Sequence, residues 1–565
     1  MRPPFKKLLL LLSLTFSGLP VLFAQSVFVP TGSETYHLID RFEIKKGSLS
    51  DSLHTAVKPY RRDQLVQLMQ NLDTGITWSA QDVFNKGYLL ADNFDQEKTL
   101  EARSKKTFPV LHWLYREKPF MLSHYSNDFE IYANPVMDIS AGNTSSSVGS
   151  KYLYTNTRGV EIRGSIAHRI GFYSVLTENQ TRLPYYIDQR VDSTKSLPGI
   201  GFLKGFGVNG YDYLSARGYI TFSATKFINF QFGHDRNFIG NGIRSLILSD
   251  FAREYLFLKI NTQVWKFNYQ NIFMELFNGT SFTGSSALVG KKYATHHHIS
   301  INLSKNFNLG FSETVIFSRS DSLGTSGFDL NYLNPIIFYR SVEQNLNSAD
   351  NAMVGMDFKW NFKRHFSLYG QLLLDEFVIH QLRSGKGWWG NKFGLQSGIK
   401  YIDVANISNL DLQLETNYGR PYLYTHFNVS QNFSHYGQQL AHPLGANFYE
   451  ALAVMRYQPL NRLQAKVTFA YSIVGMDTSN VNLGQDIFKN YRSRYQEYGN
   501  RTGQGDKTTI TYLDLYLSYM LKHNLFIWSS VTSRKSSSVS GLYNASETWV
   551  NLGVRMNFQQ RQFLF

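Results

Sequence analysis

One polar segment of the chain, from His234 to Ser245, has the composition of a binding loop. It follows Gly233 directly and places seven polar residues around Gly240 and Gly242: His234, Asp235, Arg236, Asn237, Asn241, Arg244 and Ser245. Glycine permits backbone conformations that other residues avoid, and the polar groups could converge on the hydroxyls or the carboxylate of a sugar. The same groups could instead bond to one another in a loop that folds into the interior. The sequence leaves both interpretations open, and they are compatible.

A second candidate ligand-binding block contains Asn334 and, further on, Tyr339, Arg340 and Glu343. The last three residues have helical spacing. A short helix folded inward beside the first segment would bring Arg340 toward Asp235 or toward a sugar carboxylate. An internal ion pair is the alternative use of Arg340, and we favour it.

Other residue patterns do not indicate an enzyme. Asp375 and Glu376 are neighbours on a predicted strand, so we expect their side chains on opposite faces, where they cannot flank one glycosidic bond. The run His296, His297 and His298 alternates in the same way, and no carboxylate is close in sequence. The chain has no cysteine, and we find no nucleophile motif or phosphate-binding loop. We therefore predict no catalytic residue, no metal and no cofactor.

Two aromatic segments could lie at a surface that meets a ligand. Trp388 and Trp389 could stack on sugar rings, although an aromatic girdle at a membrane border is the favoured position. Tyr491 to Tyr495 has the sequence Tyr-Arg-Ser-Arg-Tyr, with two arginines between two tyrosines. The formal net charge of the chain is +15, and loss of Arg2, Lys6 and Lys7 with residues 1–24 lowers it to +12. In an exported protein of this charge, such a loop is expected to face anionic lipopolysaccharide or acidic polysaccharide rather than nucleic acid.

The elements that must position these residues alternate in polarity at every second residue. From about residue 126 onward, segments such as Leu410 to Tyr418 place apolar side chains on one face and polar ones on the other. These segments have about 10 residues, which is what a tilted strand needs to cross a bilayer. Short basic connectors such as Lys363 to His365 alternate with long loops such as Gly475 to Lys507. The pattern is typical of an outer-membrane barrel with periplasmic turns and extracellular loops.

We therefore predict an all-β fold, a transmembrane antiparallel β-barrel of about 18 strands over residues 126–565. The last strand is expected to alternate from Val550 to Phe558, and Phe565 would close it with an aromatic residue. Aromatic residues make up 15% of the chain and charged residues only 18%, which fits aromatic belts at two lipid borders. A secreted soluble propeller or sandwich is the alternative fold.

The N-terminal part of the chain has a different pattern. Residues 1–24 resemble a signal peptide, with basic residues before an apolar run and a cleavage point near Ala24. Residues 25–125 are expected to form a periplasmic, partly helical region, with one helix over Pro59 to Met69 and another capped by Ser79. We interpret this region as a helical cap on the barrel, with docking of a periplasmic partner as the alternative.

Several blocks of the chain resemble one known family. They are Val29 to Lys46, Lys58 to Arg62, Gly233 to Asp250, Tyr255 to Leu276 and Asn331 to Glu343. Together they are similar to the capsule-assembly Wzi family, especially its gliding-motility-associated, RemB-like branch. The resemblance implies an outer-membrane barrel with a small periplasmic helical bundle, acting as a surface lectin that anchors capsular or exopolysaccharide. No glycan-binding residue of that family can be assigned here one by one.

The expectation is thus a multi-pass protein of a Gram-negative outer membrane that binds or anchors capsular or exopolysaccharide, with a possible link to gliding. Its expected partners are that polysaccharide, outer-membrane lipid and lipopolysaccharide, and a periplasmic or surface-machinery protein, but no nucleic acid. Two alternatives stay open. One is a channel or porin for solute or polysaccharide, and the other is a structural component of motility or adhesion without a glycan ligand.

Overall fold

The computed structural model describes residues 26–72, 75–97, 114–279, 290–318, 327–336, 350–478 and 481–565. Within these residues, eighteen antiparallel strands, β1 to β18, close into a barrel in which β18 pairs with β1. The predicted all-β barrel of about 18 strands is therefore confirmed. The expected signal peptide lies outside the described residues, as do three candidate ligand-binding residues: Tyr339, Arg340 and Glu343.

The strands follow one another around the barrel in chain order. They are β1 Phe129–Ser146, β2 Gly149–Ile166, β3 Ile170–Arg182, β4 Gly210–Ser223, β5 Ile228–Asp235, β6 Tyr255–Val264, β7 Phe267–Phe277, β8 Lys291–Asn302, β9 Phe307–Phe317, β10 Asn351–Phe362, β11 Phe366–Glu376, β12 Lys392–Tyr401, β13 Leu410–Gly419, β14 Phe448–Leu460, β15 Leu463–Met476, β16 Asp506–Lys522, β17 Leu525–Ser538 and β18 Ala545–Met556.

The outer wall of the barrel follows the two-residue alternation of the sequence. In β16, Leu513, Leu515 and Leu517 are 39%, 46% and 47% exposed on the outside, whereas Asp514 is buried and faces the interior. An outer face of exposed leucines fits a hydrocarbon environment. A closed sheet has no edge strand whose backbone N–H and C=O groups would be left unpaired in that environment. No helix among the described residues is long and apolar enough to span a membrane.

The two rims of the barrel differ. The turn rim carries the short connections 167–169, 224–227, 265–266, 303–306, 363–365, 402–409, 461–462 and 523–524, and we call the opposite end the loop rim. The basic connectors found in the sequence lie at the turn rim. Two loop-rim connections, 147–148 and 539–544, are also short, whereas the sequence predicts only long loops at this rim. The strands β1 and β2 have 18 residues each, so their hairpin extends the sheet and needs no long loop.

Among the described residues, three helices precede the barrel: α1 Thr35–Lys46, α2 Arg62–Gln70 and α3 Ala80–Asp92. The sequence predicts α2 and α3. Ser79 caps α3 as expected, because its side chain accepts from the backbone N–H of Asp82 and the Asp82 carboxylate accepts from the backbone of Ser79. Two further helices, α4 Tyr185–Thr194 and α5 Ile379–Arg383, lie in loop-rim connections.

The sequence does not predict α1, because no apolar stripe marks it. Its polar residues Asp40, Arg41 and Glu43 are buried together with Phe42. A helix that buries both its polar and its apolar side chains lacks the one-sided pattern by which helices are predicted. The polar side of α1 lies against the barrel interior, where it finds charged partners.

Arg41 is the centre of one group of ion pairs at the turn rim. Its guanidinium contacts Asp82 at 2.8 Å, Asp403 at 2.7 Å and Asp411 at 2.6 Å. Asp82 belongs to α3, whereas the other two carboxylates belong to the barrel. The group therefore joins α1, α3 and the barrel wall.

Asp40 is the centre of a second group. Its carboxylate accepts from Lys359 Nζ at 2.9 Å and from Lys400 Nζ at 2.5 Å, and Glu43 pairs with the same Lys359. Burial by itself raises the pKa of Asp40, but the two ammonium groups outweigh it and hold that pKa well below its usual range. The helices thus fill the interior near the turn rim through charged contacts.

The short strand Leu122–Tyr125 precedes β1 in the chain and pairs with it.

The chain beyond β18 enters the barrel interior. The sequence predicts a last strand that reaches Phe558 and a closing role for Phe565, but β18 ends at Met556, so this prediction is wrong. Phe565 O accepts from Arg534 Nε at 3.1 Å, far along β17 from the turn rim. Residues 559–562 are Gln-Gln-Arg-Gln, and such side chains suit a polar interior rather than lipid.

Candidate functional site

The first candidate segment leaves β5 at the loop rim and folds into the barrel. Its short strand Phe238–Ile239 pairs with Val57–Lys58 of the N-terminal region. Leu246, Ile247 and Leu248 are at most 1% exposed and lie in the largest apolar core. The interior position, which the sequence leaves as one of two interpretations, is therefore observed.

His234 is separated from the other candidate residues. It belongs to β5 and shares the parity of Phe232, which is 50% exposed on the outer wall. Asp235 instead faces the interior, with its Oδ1 3.6 Å from Arg217 Nη1. Because consecutive strand residues point to opposite faces, His234 and Asp235 do not converge on one ligand, and that part of the expectation is corrected.

Arg244 anchors the segment to the barrel wall. Its Nη2 lies 2.9 Å from Glu450 Oε1 and donates to Leu564 O at 2.7 Å, and its backbone N–H donates to Glu415 at 3.0 Å. At Gly242 a Cβ atom would lie 2.6 Å from Glu415 Oε2, so the close approach of the loop to this carboxylate requires glycine.

The remaining interior candidates also bond to protein groups. Asn241 accepts from Thr55 at 3.0 Å, Ser245 donates to Ile239 O at 2.5 Å, Arg236 Nη2 lies 3.3 Å from Glu254 Oε2, and Asn237 accepts from Lys259 Nζ at 3.1 Å. These bonds fix the fold of the segment. Ligand binding by its residues stays a prediction.

Asn334 lies with the outer wall rather than beside the first segment. The 3₁₀ turn Leu330–Leu333 packs through Tyr332 on Phe317, with ring centroids 4.4 Å apart. Phe317 faces outward, because its neighbour Ile316 belongs to the interior core. The expected inward fold of this block is therefore corrected at Asn334.

The carboxylates Asp375 and Glu376 depart from strand alternation. Both approach Lys392 Nζ, at 3.1 Å and 3.2 Å. The ladder shifts register between Leu374 and Glu376, and such a bulge re-aims side chains. The expectation that the two carboxylates occupy opposite faces is wrong, and the ammonium of Lys392 lies between them.

The three consecutive histidines are held by protein partners. His298 Nε2 lies 2.7 Å from Asp357 Oδ2 and His296 Nδ1 lies 2.8 Å from Thr314 Oγ1, both in the interior. His297 faces the other side, as expected from alternation. In the described part of the chain, no group of three or more His, Asp or Glu side chains is placed to hold a metal ion.

The helices, the first candidate segment and residues 557–565 divide the barrel interior into cavities. Three of these cavities have volumes of about 430, 270 and 110 Å³. Gln560 and Gln562 line all three. Residues 557–565 therefore act as a partition within the barrel.

A second candidate site forms at the loop rim, where two connections form backbone hydrogen bonds with each other. Trp389 N donates to Glu497 O at 2.9 Å, and Gly499 N donates to Lys386 O at 2.8 Å. The rings of Trp389 and Tyr491 then lie 4.8 Å apart. The structure thus joins the tryptophan pair and the Tyr/Arg segment, which the sequence shows only as separate features.

Guanidinium groups flank these rings. The Arg494 guanidinium lies 4.3 Å from the ring centroid of Trp389, and that of Arg492 lies 4.5 Å from the ring centroid of Phe427. Tyr495 is 67% exposed beside them. We call the following set the aromatic–arginine surface: Trp388, Trp389, Phe427, Tyr491, Arg492, Arg494 and Tyr495.

The aromatic–arginine surface has the chemistry of an acidic-sugar site. Aromatic faces pack on the apolar C–H faces of sugar rings, and a guanidinium binds a carboxylate through two hydrogen bonds. Trp389 is 8% exposed and supports the surface from below, whereas Arg492 is exposed. The favoured girdle position for the tryptophans is not observed, because their loop folds back and packs against the connection 477–505.

Among the comparisons with known proteins, the one with solved structures bears on the fold. No family model matches the chain, and no curated protein matches it. The structure is similar to that of Wzi from Escherichia coli, described as a carbohydrate-binding β-barrel involved in group 1 capsule assembly, with TM-score 0.57, 11% identity and coverage of 95% of this chain and 100% of that one. The likeness supports the barrel fold.

Porin structures give weaker likenesses. OccK8 (OprE) from Pseudomonas aeruginosa has TM-score 0.40 and 10% identity over 75% of this chain and 97% of its own. OccAB4 from Acinetobacter baumannii has TM-score 0.40 and 9% identity over 76% of this chain and 98% of its own.

Proposed function

We propose that this chain is an outer-membrane surface protein that binds capsular or exopolysaccharide through the aromatic–arginine surface. The observation that carries the proposal is the packing of Arg494 and Tyr491 around Trp389 at the loop rim. In barrels of this kind the short turns are periplasmic and the long loops extracellular, so the surface faces the cell exterior. The preferred polysaccharide is acidic, because the exposed charged members of the surface are arginines. The glycan-binding role expected for the first candidate segment is secondary in this proposal.

The filled interior favours binding over diffusion. The N-terminal region and the inward segment meet at the pairing of Val57–Lys58 with Phe238–Ile239, and residues 557–565 occupy part of the remaining space. A porin instead keeps a water-filled passage. The alternative of a channel keeps one supporting feature, the cationic lining of the interior cavities, and steady single-channel conductance of the purified protein in planar bilayers would favour it.

The direct test uses the protein and the polysaccharide of its own host. We expect the purified full chain in detergent to retain acidic capsule or exopolysaccharide on an affinity matrix, and a deletion strain to lose surface coat. Retention should weaken as salt is raised, because exposed charge pairs are screened. The proposal is wrong if the protein has no affinity for this material and the deletion strain keeps a normal coat. A motility defect without a coat defect would instead support the non-glycan structural role.

A further inference from the structure

One interior cavity has the size of a small-ligand site. Its volume is about 430 Å³, within the range of about 300–1,000 Å³ that is typical of ligand pockets. Its lining extends from Asn524 at the turn rim to Arg244 in the inward segment. A polysaccharide chain does not fit this space, but a single sugar acid or a comparable small molecule does.

The lining of this cavity carries an excess of positive charge. Eight cationic side chains line it: Lys58, Arg62, Arg163, Arg244, Lys400, Arg456, Lys466 and Arg555. Five anionic side chains line it as well: Glu34, Asp40, Asp92, Glu161 and Asp250. The formal balance is therefore +3, from eight cations minus five anions. Such a lining attracts anions.

Two of these carboxylates are already engaged twice. Glu34 pairs with Arg456 and Lys466, at 3.1 Å each. Asp40 pairs with Lys359 and Lys400, as described above. Arg244, Arg163 and Arg62 pair in turn with Glu450, Asp95 and Asp92. Among the described residues, Lys58 and Arg555 are therefore the lining cations without a carboxylate partner.

Lys58 is the cation without a polar partner. Its side chain has no hydrogen bond and no ion pair to any residue that the structure describes, although it is only 9% exposed. Its Nζ lies 4.6 Å from the ring centroid of Phe238 and 5.7 Å from that of Tyr36, and both rings line the cavity. The backbone pairing with Phe238–Ile239 fixes its place. The ammonium thus lines the cavity with three donors and no protein acceptor among the described residues, which leaves it free to donate to an oxyanion there.

We propose that this cavity is a binding site for a small organic or inorganic oxyanion, with the carboxylate or phosphate group received by Lys58. The rings of Tyr36 and Phe238 would flank the charged group. The site is independent of the aromatic–arginine surface and of the polysaccharide proposal, because its ligand enters the interior and has the size of one sugar or less.

The test is calorimetric titration of the purified full chain in detergent at pH 7. D-glucuronate and inorganic phosphate are the two probes, and they distinguish a carboxylate ligand from a phosphate ligand. We expect one molecule of at least one probe to bind per chain. Lys58→Met should weaken that binding at least tenfold, and Lys58→Arg should retain most of it. The matched control Lys204→Gln, in an exposed loop-rim position, should bind as the parent does.

The proposal is overturned if the parent protein binds neither probe, or if Lys58→Met binds as tightly as the parent. A measurement on the parent alone covers the case in which Lys58→Met does not fold. Acetylation of Lys58 by acetic anhydride, read by mass spectrometry, should slow at least threefold when the bound probe is present. An unchanged rate at saturating probe would also overturn the proposal.

Discussion

The guanidinium of Arg494 lies over the indole of Trp389, 4.3 Å from the ring centroid, and joins two loop-rim connections into one surface. The same arginine pairs with Glu497, whose backbone oxygen accepts from Trp389 N at 2.9 Å. Arg494 and Trp389 are therefore structural members of the surface. Arg492, Trp388 and the exposed Tyr495 are the members that we propose to contact a ligand.

We expect Trp388→Ala and Arg492→Gln each to weaken binding of an acidic polysaccharide about tenfold, since a ring contact of the tryptophan and a charge-assisted contact of the arginine each contribute about 1.5 kcal/mol. Surface plasmon resonance on immobilised polysaccharide measures the change. Arg169→Gln removes an equal charge from the turn rim and should leave binding unchanged. Equal losses in the Arg169 and Arg492 variants would show a nonspecific charge effect and contradict the assignment.

The sequence predicts the barrel wall well, because lipid on one side and a polar interior on the other impose a strict period of two. The alternation around Asp514 is an example. The same rule fails at Asp375 and Glu376, where a bulge interrupts the ladder. Helix α1 escapes prediction because its polar residues are buried by ion pairs to strands distant in sequence, such as Asp40 to Lys359.

The candidate site is predictable only in parts. The Trp-Trp pair and the Tyr/Arg run are visible in the sequence, but their contact depends on how two loops fold back at the rim. The interior position of residues 557–565 has one visible signal, the Gln-Gln-Arg-Gln run that interrupts the terminal alternation. The role of Lys58 has no signal in the sequence, since a lone lysine is ordinarily solvated.

The packing of helix α1 inside the barrel should depend strongly on Asp40. We expect Asp40→Asn to lower the free energy of unfolding by about 3 kcal/mol, because it leaves Lys400 buried without its carboxylate. Urea titration of the protein in detergent measures this. Asp51→Asn, at an exposed position of the same region, should cost less than about 0.5 kcal/mol. Equal stability of the two variants would show that the ion pairs of Asp40 do not stabilise the packing of α1 against the barrel.

The same carboxylate gives a pH dependence. Burial raises the pKa of Asp40, but Lys359 and Lys400 hold it well below the ordinary value of 3.8. A carboxyl whose folded pKa is depressed stabilises the fold above its unfolded pKa, and this stabilisation is lost as pH falls below that value. With respect to this group, we expect the melting temperature to stay nearly constant between pH 7 and about 4 and to decrease at pH values below about 4. The fall should be smaller in Asp40→Asn, and an identical acid profile in both proteins would contradict the assignment.

Arg244 should control how tightly the interior is closed. Its guanidinium bonds both to Glu450 and to Leu564 O, so Arg244→Ala releases the inward segment and residues 557–565 together. We expect the parent protein to give almost no conductance in planar bilayers and the variant to give discrete openings. Arg158→Ala, on the exposed outer wall, is the control. A conducting parent, or a variant as closed as the parent, would show that this contact does not close the interior.

Anion binding in the large cavity should depend on pH through Lys58. Burial and the nearby Lys400 lower the pKa of Lys58 to about 8, with Asp40 and Asp250 opposing and Lys359 adding to the decrease. The ammonium is therefore lost as pH rises through about 8, and affinity for D-glucuronate or phosphate should fall up to tenfold per pH unit above it. Calorimetric titrations from pH 6 to 9.5 measure this decrease.

The stability of the ligand-free protein should change in the opposite direction. The unfolded lysine keeps its proton up to its ordinary pKa of 10.5, so between about pH 8 and 10.5 the unfolded state binds more protons and the contribution of Lys58 to stability rises with pH.

The variant Lys58→Arg is the control for the pH dependence of anion binding. Its cation persists throughout this range, so its affinity for the anion should not depend on pH. Affinity that declines equally in the parent and in Lys58→Arg would assign the titration to another group.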